Sequence, residues 1–236
     1  MSQITRDDPS ERSRFFREQL VVWGTLHGRS FPWRSSSDPY HLLIAEMMLR
    51  RTQARQVVSV YEEFVRQYPT PQALAAATEE DVTQLLHPLG LSWRIPAFRQ
   101  MAQRLVADYD GEVPRDRKAL LALPGVGEYV ADALRCFAYH EPIALLDTNT
   151  VRVAGRYLGF PVHAESRRRA PVKRALLCLV EPHAPRASNL ALLDLAATVC
   201  RPRQPHCVSC PVATGCAWWQ AERLCQEDNP SHGRSN

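Results

Sequence analysis

Eighteen prolines and ten glycines in 236 residues cut this chain into short pieces, and that punctuation constrains its fold more than any other feature. A proline inside a helix removes a backbone hydrogen bond and clashes with the preceding turn, so helices end near it. Pro32, Pro39, Pro69, Pro71, Pro88, Gly90, Gly111, Pro114, Pro124, Pro142, Pro161, Pro182 and Pro185 all fall between periodic stretches. Apolar residues recur at spacings of three and four over 11–27, 40–51, 54–68, 79–87, 94–109, 116–122, 128–139, 149–158, 168–181 and 187–199. No alternating stretch of useful length suggests a strand, so the expected fold is all-α. The polar tail from about Gln226 (QEDNPSHGRSN) is expected to be disordered.

The charge balance, 29 Lys plus Arg against 25 Asp plus Glu, gives +4, which suits a phosphate-bearing partner without requiring one. Only two of the cations are lysines, Lys118 and Lys173, so few amines are available for a Schiff base. The opening MSQITRDDPSERSRFF does not resemble a leader, and no apolar run approaches a membrane span. The expectation is a cytoplasmic protein with reduced thiols.

Those thiols have a pattern. Cys200, Cys207, Cys210 and Cys216 follow C-x6-C-x2-C-x5-C, a compact chelating loop. The uneven gaps fit a chain wrapped around a [4Fe-4S] cluster better than paired zinc knuckles, with zinc the main rival. Cys136 and Cys178 sit in apolar helical stretches and are expected in the core, while Cys225 lies outside the cage.

A second constellation is Leu123-Pro124-Gly125-Val126-Gly127, between two helical stretches. Glycines in a tight turn let backbone N–H groups approach an anion, and the next helix adds its positive end. The segment reads as a helix-hairpin-helix that clamps nucleic-acid phosphates; the alternative is an ordinary helix–helix turn. Farther on, Asp147 ends an apolar run and begins a helical pattern, the position of an N-cap. An N-cap side chain is pinned in direction, which is compatible with a second role.

Together, the LPGVG hairpin, an Asp twenty residues past its second glycine and the four-cysteine cage resemble the helix-hairpin-helix DNA glycosylase superfamily, in its endonuclease III branch. The likeness runs from about Phe31 to Cys216. It implies two α-helical domains flanking a DNA-binding cleft: residues 31–141 with the hairpin, and 1–30 with 142–225 around the cluster, followed by the tail 226–236. It also implies that Asp147 is the catalytic carboxylate, that the four cysteines hold a [4Fe-4S] cluster, and that the partner is double-stranded DNA bearing a mismatched or damaged base. The protein is expected to act as a monomer in the cytoplasm, at the nucleoid.

Members of this family that also cut the strand carry a lysine two residues after the hairpin's last glycine. Tyr129 stands there instead, which implies a monofunctional glycosylase with water as the final nucleophile. Pro32-Trp33-Arg34, Glu46, Tyr129, Asp147 and Asn149 resemble two such groups, the mismatch thymine/uracil enzymes and the adenine enzymes. Arg50-Arg51-Thr52, the loop Gly90-Leu91-Ser92-Trp93-Arg94 and the short stretch after the cage favour the former; Gln53 is nearer the latter. Leu91, Ser92 and Trp93 are the candidate wedge that fills the gap left by an extruded base, and Gln53 or Arg50 the candidate facing the orphaned guanine.

Glu46, set among apolar neighbours, should have a raised pKa and serve as proton donor or water positioner; its alternative is an ion pair with Arg50. Tyr129 and Asn149 are expected to orient the aspartate or the nucleotide. Arg167-Arg168-Arg169 reads as a solvated run or a phosphate contact. A non-catalytic DNA-binding module is the remaining alternative, disfavoured because Asp147 and Glu46 would repel phosphates.

Overall fold

The computed structural model describes residues 9–90 and 92–227, and every regular element among them is helical. The helices are α1 (Pro9–His27), α2 (Pro39–Met48), α3 (Ala54–Gln67), α4 (Pro71–Ala76), α5 (Glu79–Leu86), α6 (Ile95–Tyr109), α7 (Arg117–Ala122), α8 (Glu128–Tyr139), α9 (Thr148–Leu158), α10 (Ala170–Leu177), α11 (Pro185–Thr198) and α12 (Ala217–Glu227). No helix among the described residues is long and apolar enough to cross a membrane. The chain divides into two compact units, Ser30–Ile143 and Met1–Arg29 with Ala144–Asn236.

In the unit Ser30–Ile143, local chemistry starts the helices where the prolines allow. Asp38 caps α2 by accepting from the Tyr40 and His41 backbone N–H groups, with Pro39 at the first helical position. Thr70, Thr78 and Asp116 cap α4, α5 and α7 in the same way. Helix α2 is buried from Leu42 through Met48, so it lacks a polar face and runs through the core. It packs against α3 and α8, while α4 and α5 pack on α6. Aromatic pairs tie the layers: Phe64 lies 5.9 Å from Phe98, and Trp33 meets Tyr61 edge-on at 5.4 Å.

The second unit is built on α1 against α11, with α9, α10 and α12 around them. The two long helices approach closely at Gly24, where an added Cβ would stand 2.5 Å from the Ala191 Cβ. Phe16, Leu20, Tyr157, Leu176, Leu192 and Leu195 fill the core, and Cys200, Cys210 and Cys216 pack at its edge. Fully buried Asp194 on α11 accepts from the Arg29 backbone N–H at 2.8 Å and from its Nε at 2.6 Å, which fixes the exit of α1.

Several boundaries differ from the periodicity. Helix α2 stops at Met48 because Arg51 takes a left-handed φ of 61° that no helix tolerates. Helix α10 stops at Leu177, which leaves Cys178 exposed at its C-cap rather than in the core; Cys136 is buried. Short α4, which starts at Pro71 just after Pro69, has too few residues to show a period. Helix α12 reaches Glu227, two residues into the expected tail, and residues 228–236 lie outside the described residues.

Candidate functional site

The hairpin is anchored from inside. Leu123 and Val126 are buried, and the Val126 N–H donates to the Leu123 carbonyl at 3.1 Å to close the turn. Gly125 has a φ of 79°, and an added Cβ would lie 2.8 Å from the Met47 Cε and 3.0 Å from the Ala97 Cβ, so both conformation and space demand glycine. Gly127, the N-cap of α8, differs: an added Cβ there meets nothing within 4 Å. No side chain caps α8, and the positive end of a helix entered through glycine is suited to an anion.

Arg50 is used within this unit. Its Nη1 donates to the Gly125 carbonyl at 2.8 Å, so Arg50 braces the hairpin, and the alternative ion pair with Glu46 is not made. Its neighbour Arg51 is exposed, as is Gln53 at the N-cap of α3, whose side chain caps nothing. Trp93 is 66% exposed, and Arg94 lies over its ring while donating to the Met47 carbonyl at 3.2 Å. Leu91 and the Ser92 side chain lie outside the described residues.

Glu46 sits on α2 with 5% exposure. Burial pushes its carboxyl up to about 7, partly opposed by the Arg34 guanidinium. The group therefore changes protonation near neutrality, as a proton donor must. Tyr129 is half-buried in the first turn of α8, and Lys118 lies on α7.

Asp147 is the N-cap of α9, and its direction is fixed by three donors. Oδ1 accepts from the backbone N–H groups of Asn149 at 2.9 Å and Thr150 at 2.7 Å; Oδ2 accepts from Asn149 Nδ2 at 2.8 Å. In return the Asp147 N–H donates to Thr150 Oγ1 at 3.0 Å, a reciprocal capping box. The amide of Asn149 is itself oriented, because its Oδ1 accepts from Arg152 Nη1 at 2.9 Å. Arg152 also donates to the carbonyls of Cys200 at 3.1 Å and Ala196 at 2.9 Å. A continuous line of hydrogen bonds thus joins the carboxylate to the first cysteine of the cage.

Cys200, Cys207, Cys210 and Cys216 line one cavity, walled by Val153, Tyr157, Leu195, Val212, Trp218 and Trp219. Burial, then the neighbouring thiols, push Cys207 up to about 11; burial pushes Cys210 up to about 12, and Cys216 is also raised, chiefly by burial. Thiolates crowded against an apolar wall repel one another unless a cationic centre binds them, so the donor set fits a soft metal group. Among the described residues no group of three or more His, Cys, Asp or Glu is arranged as the shell of a metal ion; the four thiols share the cavity without forming one. Arginines hold the loop. Arg156 donates to the carbonyls of Arg201 at 2.7 Å and Pro202 at 2.9 Å and to Cys200 Sγ at 3.5 Å. Arg12 on α1 donates to the Gly215 carbonyl at 2.8 Å and to the Tyr157 carbonyl.

Residues 44–175, more than half of the chain, match the HhH-GPD superfamily of base excision DNA repair proteins. The chain belongs to that superfamily. Within it, the chain is 36% identical over 215 residues to a thymine-DNA glycosylase of Aeropyrum pernix, covering 88% of this chain and 96% of the relative. It is also 36% identical over 222 residues to an adenine DNA glycosylase of Mycobacterium tuberculosis, covering 92% of this chain and 71% of the relative. Among solved structures, a thermostable thymine-DNA glycosylase superposes with a TM-score of 0.84 at 32% identity, covering 89% of this chain and 98% of that one. The all-α fold is that of the HhH-GPD proteins.

Arg12, Arg152 and Arg156 are the site residues that sequence reasoning missed in this HhH-GPD chain. Most of their acceptors are backbone carbonyls distant in sequence, which leave no local pattern. The one available signal was the spacing of Arg152 and Arg156, which places both on one face of α9 behind Asp147.

Proposed function

We propose that this protein is a monofunctional DNA glycosylase that hydrolyses the N-glycosidic bond of thymine or uracil mispaired with guanine in double-stranded DNA. The observation that carries the reading is Asp147, a carboxylate aimed by three donors at the entry of α9. Family membership and the glycosylase relatives support the same class of chemistry. Breaking the bond from C1′ to the base nitrogen builds positive charge on the sugar, and a fixed carboxylate facing that carbon stabilises it.

The target base is inaccessible inside the duplex, so the nucleotide rotates out, and a mispaired base costs less to extrude. The hairpin holds backbone phosphates at the entry of α8 beside Gly127, with Leu123, Gly125 and Val126 shaping the turn. Exposed Trp93, with Leu91 and Ser92, fills the vacated space, and exposed Gln53 faces the orphaned guanine. Asp147 stabilises the developing cation, while Asn149, held by Arg152, keeps the carboxylate in line. Glu46 gives a proton to the departing base or positions the attacking water. Water forms the new bond at C1′ and loses its proton, because Tyr129 offers no amine; the strand stays intact.

We assign a [4Fe-4S] cluster to Cys200, Cys207, Cys210 and Cys216, on their shared cavity and uneven spacing. When bound, the cluster supplies a cationic core that gathers the loop, and Arg152 and Arg156 connect that loop to α9. The protein is assigned to the cytoplasm, where DNA and reduced thiols coexist, as a monomer.

A second reading, excision of adenine opposite guanine or its oxidised form, is favoured by Gln53 and by equal identity to the mycobacterial adenine enzyme. Duplexes carrying T:G, U:G, A:G and A opposite oxidised G, incubated with the protein and then treated with alkali, separate the readings. Alkali-dependent breaks at T:G and U:G are the expected result. Breaks at A:G alone establish the adenine enzyme, breaks without alkali contradict the role of Tyr129, and no break at any duplex leaves a DNA-binding module.

A further inference from the structure

Several cations of this chain are held by an anionic neighbour. Arg66 bonds Glu63, Arg104 bonds Asp108 at 2.6 Å and Arg117 bonds Asp132 at 2.9 Å. The segment 166–180 supplies no such neighbour of its own. It carries Arg167, Arg168, Arg169, Lys173 and Arg174 and no acidic residue. Arg168 reaches back to Glu165 at 2.6 Å, and the other four have no ion pair among the described residues.

The fold exposes all four on α10 and at its entry. Val172 and Leu176, one turn apart, are the buried positions of α10, so Lys173 and Arg174 point to solvent, and Arg167 and Arg169 stand exposed at the helix entry. Arg169 is the N-cap and caps nothing, and the first turn of α10 has no acid. Positive side chains therefore crowd the positive end of the helix, an arrangement unfavourable in isolation and relieved by a polyanion.

We propose that this basic face, Arg167, Arg169, Lys173 and Arg174, binds the phosphate backbone of duplex DNA away from the damaged base, as a contact additional to the hairpin. The inference rests on the glycosylase reading, which makes duplex DNA the partner. Three of the four groups are guanidinium forks, which match phosphate oxygens bidentately. The face also has the composition of a DNA interface, strongly positive and without the buried aromatic centre of a protein interface. Such a contact carries no base information; it retains the enzyme on undamaged duplex while it searches.

The test compares three proteins on undamaged duplex across a salt series: the native chain, the fourfold variant Arg167→Ala, Arg169→Ala, Lys173→Ala, Arg174→Ala, and the hairpin variant Gly127→Ala. Each lost phosphate contact removes about 0.9 from the slope of log affinity against log salt, so the fourfold variant should lose roughly 2 to 4 from that slope. Its affinity should fall at least tenfold, about 1.4 kcal/mol. Its melting temperature and its excision rate at saturating enzyme should match the native values. If the fourfold change unfolds the protein, the pair Arg167→Gln, Lys173→Gln takes its place, with about half the loss of slope. A native slope in the patch variant, with a reduced slope in Gly127→Ala, overturns the proposal and leaves the face to an acidic protein partner. A reduced slope in the patch variant alone supports the face and overturns the hairpin reading. Absence of duplex binding by the native chain overturns both.

Discussion

Two carboxyl side chains, Asp147 and Glu46, occupy opposite environments, and the difference assigns their work. Asp147 is partly exposed and accepts three N–H donors, whereas Glu46 is buried among apolar side chains and pushed up to about 7. Replacing Asp147 by asparagine keeps a good N-cap, so stability should change by no more than about 1 kcal/mol while the negative charge is lost. Single-turnover excision should fall by roughly 10³-fold or more. Undiminished excision with unchanged melting temperature would remove Asp147 from the chemistry. Glu46 yields a prediction in pH. Its folded value lies above that of an unfolded glutamate, so the folded state holds the extra proton between about 4.5 and 7. The stability it contributes is complete below the unfolded value and is lost as pH rises through about 7, a change of roughly 3 kcal/mol. Melting temperature of the native protein should therefore drop between pH 5 and pH 8 more than that of Glu46→Gln, and parallel curves would contradict the burial argument. Glutamine also separates the substrates: partial activity is expected for a thymine leaving group, whose anion is reasonably stable, and near-complete loss for adenine.

Helices begin where short-range chemistry says they should and end where it does not. Asp38, Thr78, Asp116 and Asp147 each precede a helix whose start was readable from the sequence and accept its orphan N–H groups; Thr70 does the same for α4, too short to be read. Ends depend on tertiary packing. The periodicity of α2 continues to Arg51, yet the helix stops at Met48 so that Arg50 can turn to the Gly125 carbonyl, a residue far along the chain. On α9 the same distinction governs the site. The position of Asp147 was legible as a cap, but the role of Arg152 was not, since its acceptors, the carbonyls of Ala196 and Cys200, belong to the end of α11 and the loop beyond it. Arg152 fills three acceptors with one planar group, and a lysine cannot reproduce that fork. The variant Arg152→Lys should release the Asn149 amide and lower the single-turnover rate by about tenfold, with duplex affinity unchanged, because misdirected groups near a transition state cost rate before binding. A native rate would show that Asn149 holds its orientation without the guanidinium.

For the whole molecule, the chain must return on itself, since the N-terminal helix belongs to the unit formed by the C-terminal half. Two contacts that fix this return are the buried Asp194 with Arg29 and the bond from Arg12 to the Gly215 carbonyl, 203 residues apart. No periodicity or cap encodes a partner at that distance, so the two-unit division was accessible to sequence reading only through family resemblance. The return also joins the cysteine loop to the core of its unit, because Tyr157 donates to the Arg12 carbonyl at 2.8 Å while Arg12 binds the loop beside Cys216. If the cage holds a cluster, its loss should therefore be felt through one unit and spare the other. Iron chelation under reducing conditions, followed by hydrogen exchange, should strip protection from residues 200–216, from α12 and from the start of α1. The helices α2 to α8 of the unit Ser30–Ile143, which have their own core around α2, should retain theirs. Uniform loss of protection across both units would mean that the cluster supports the entire fold, and no loss anywhere would mean that the arginine-held carbonyls suffice to keep the loop in place.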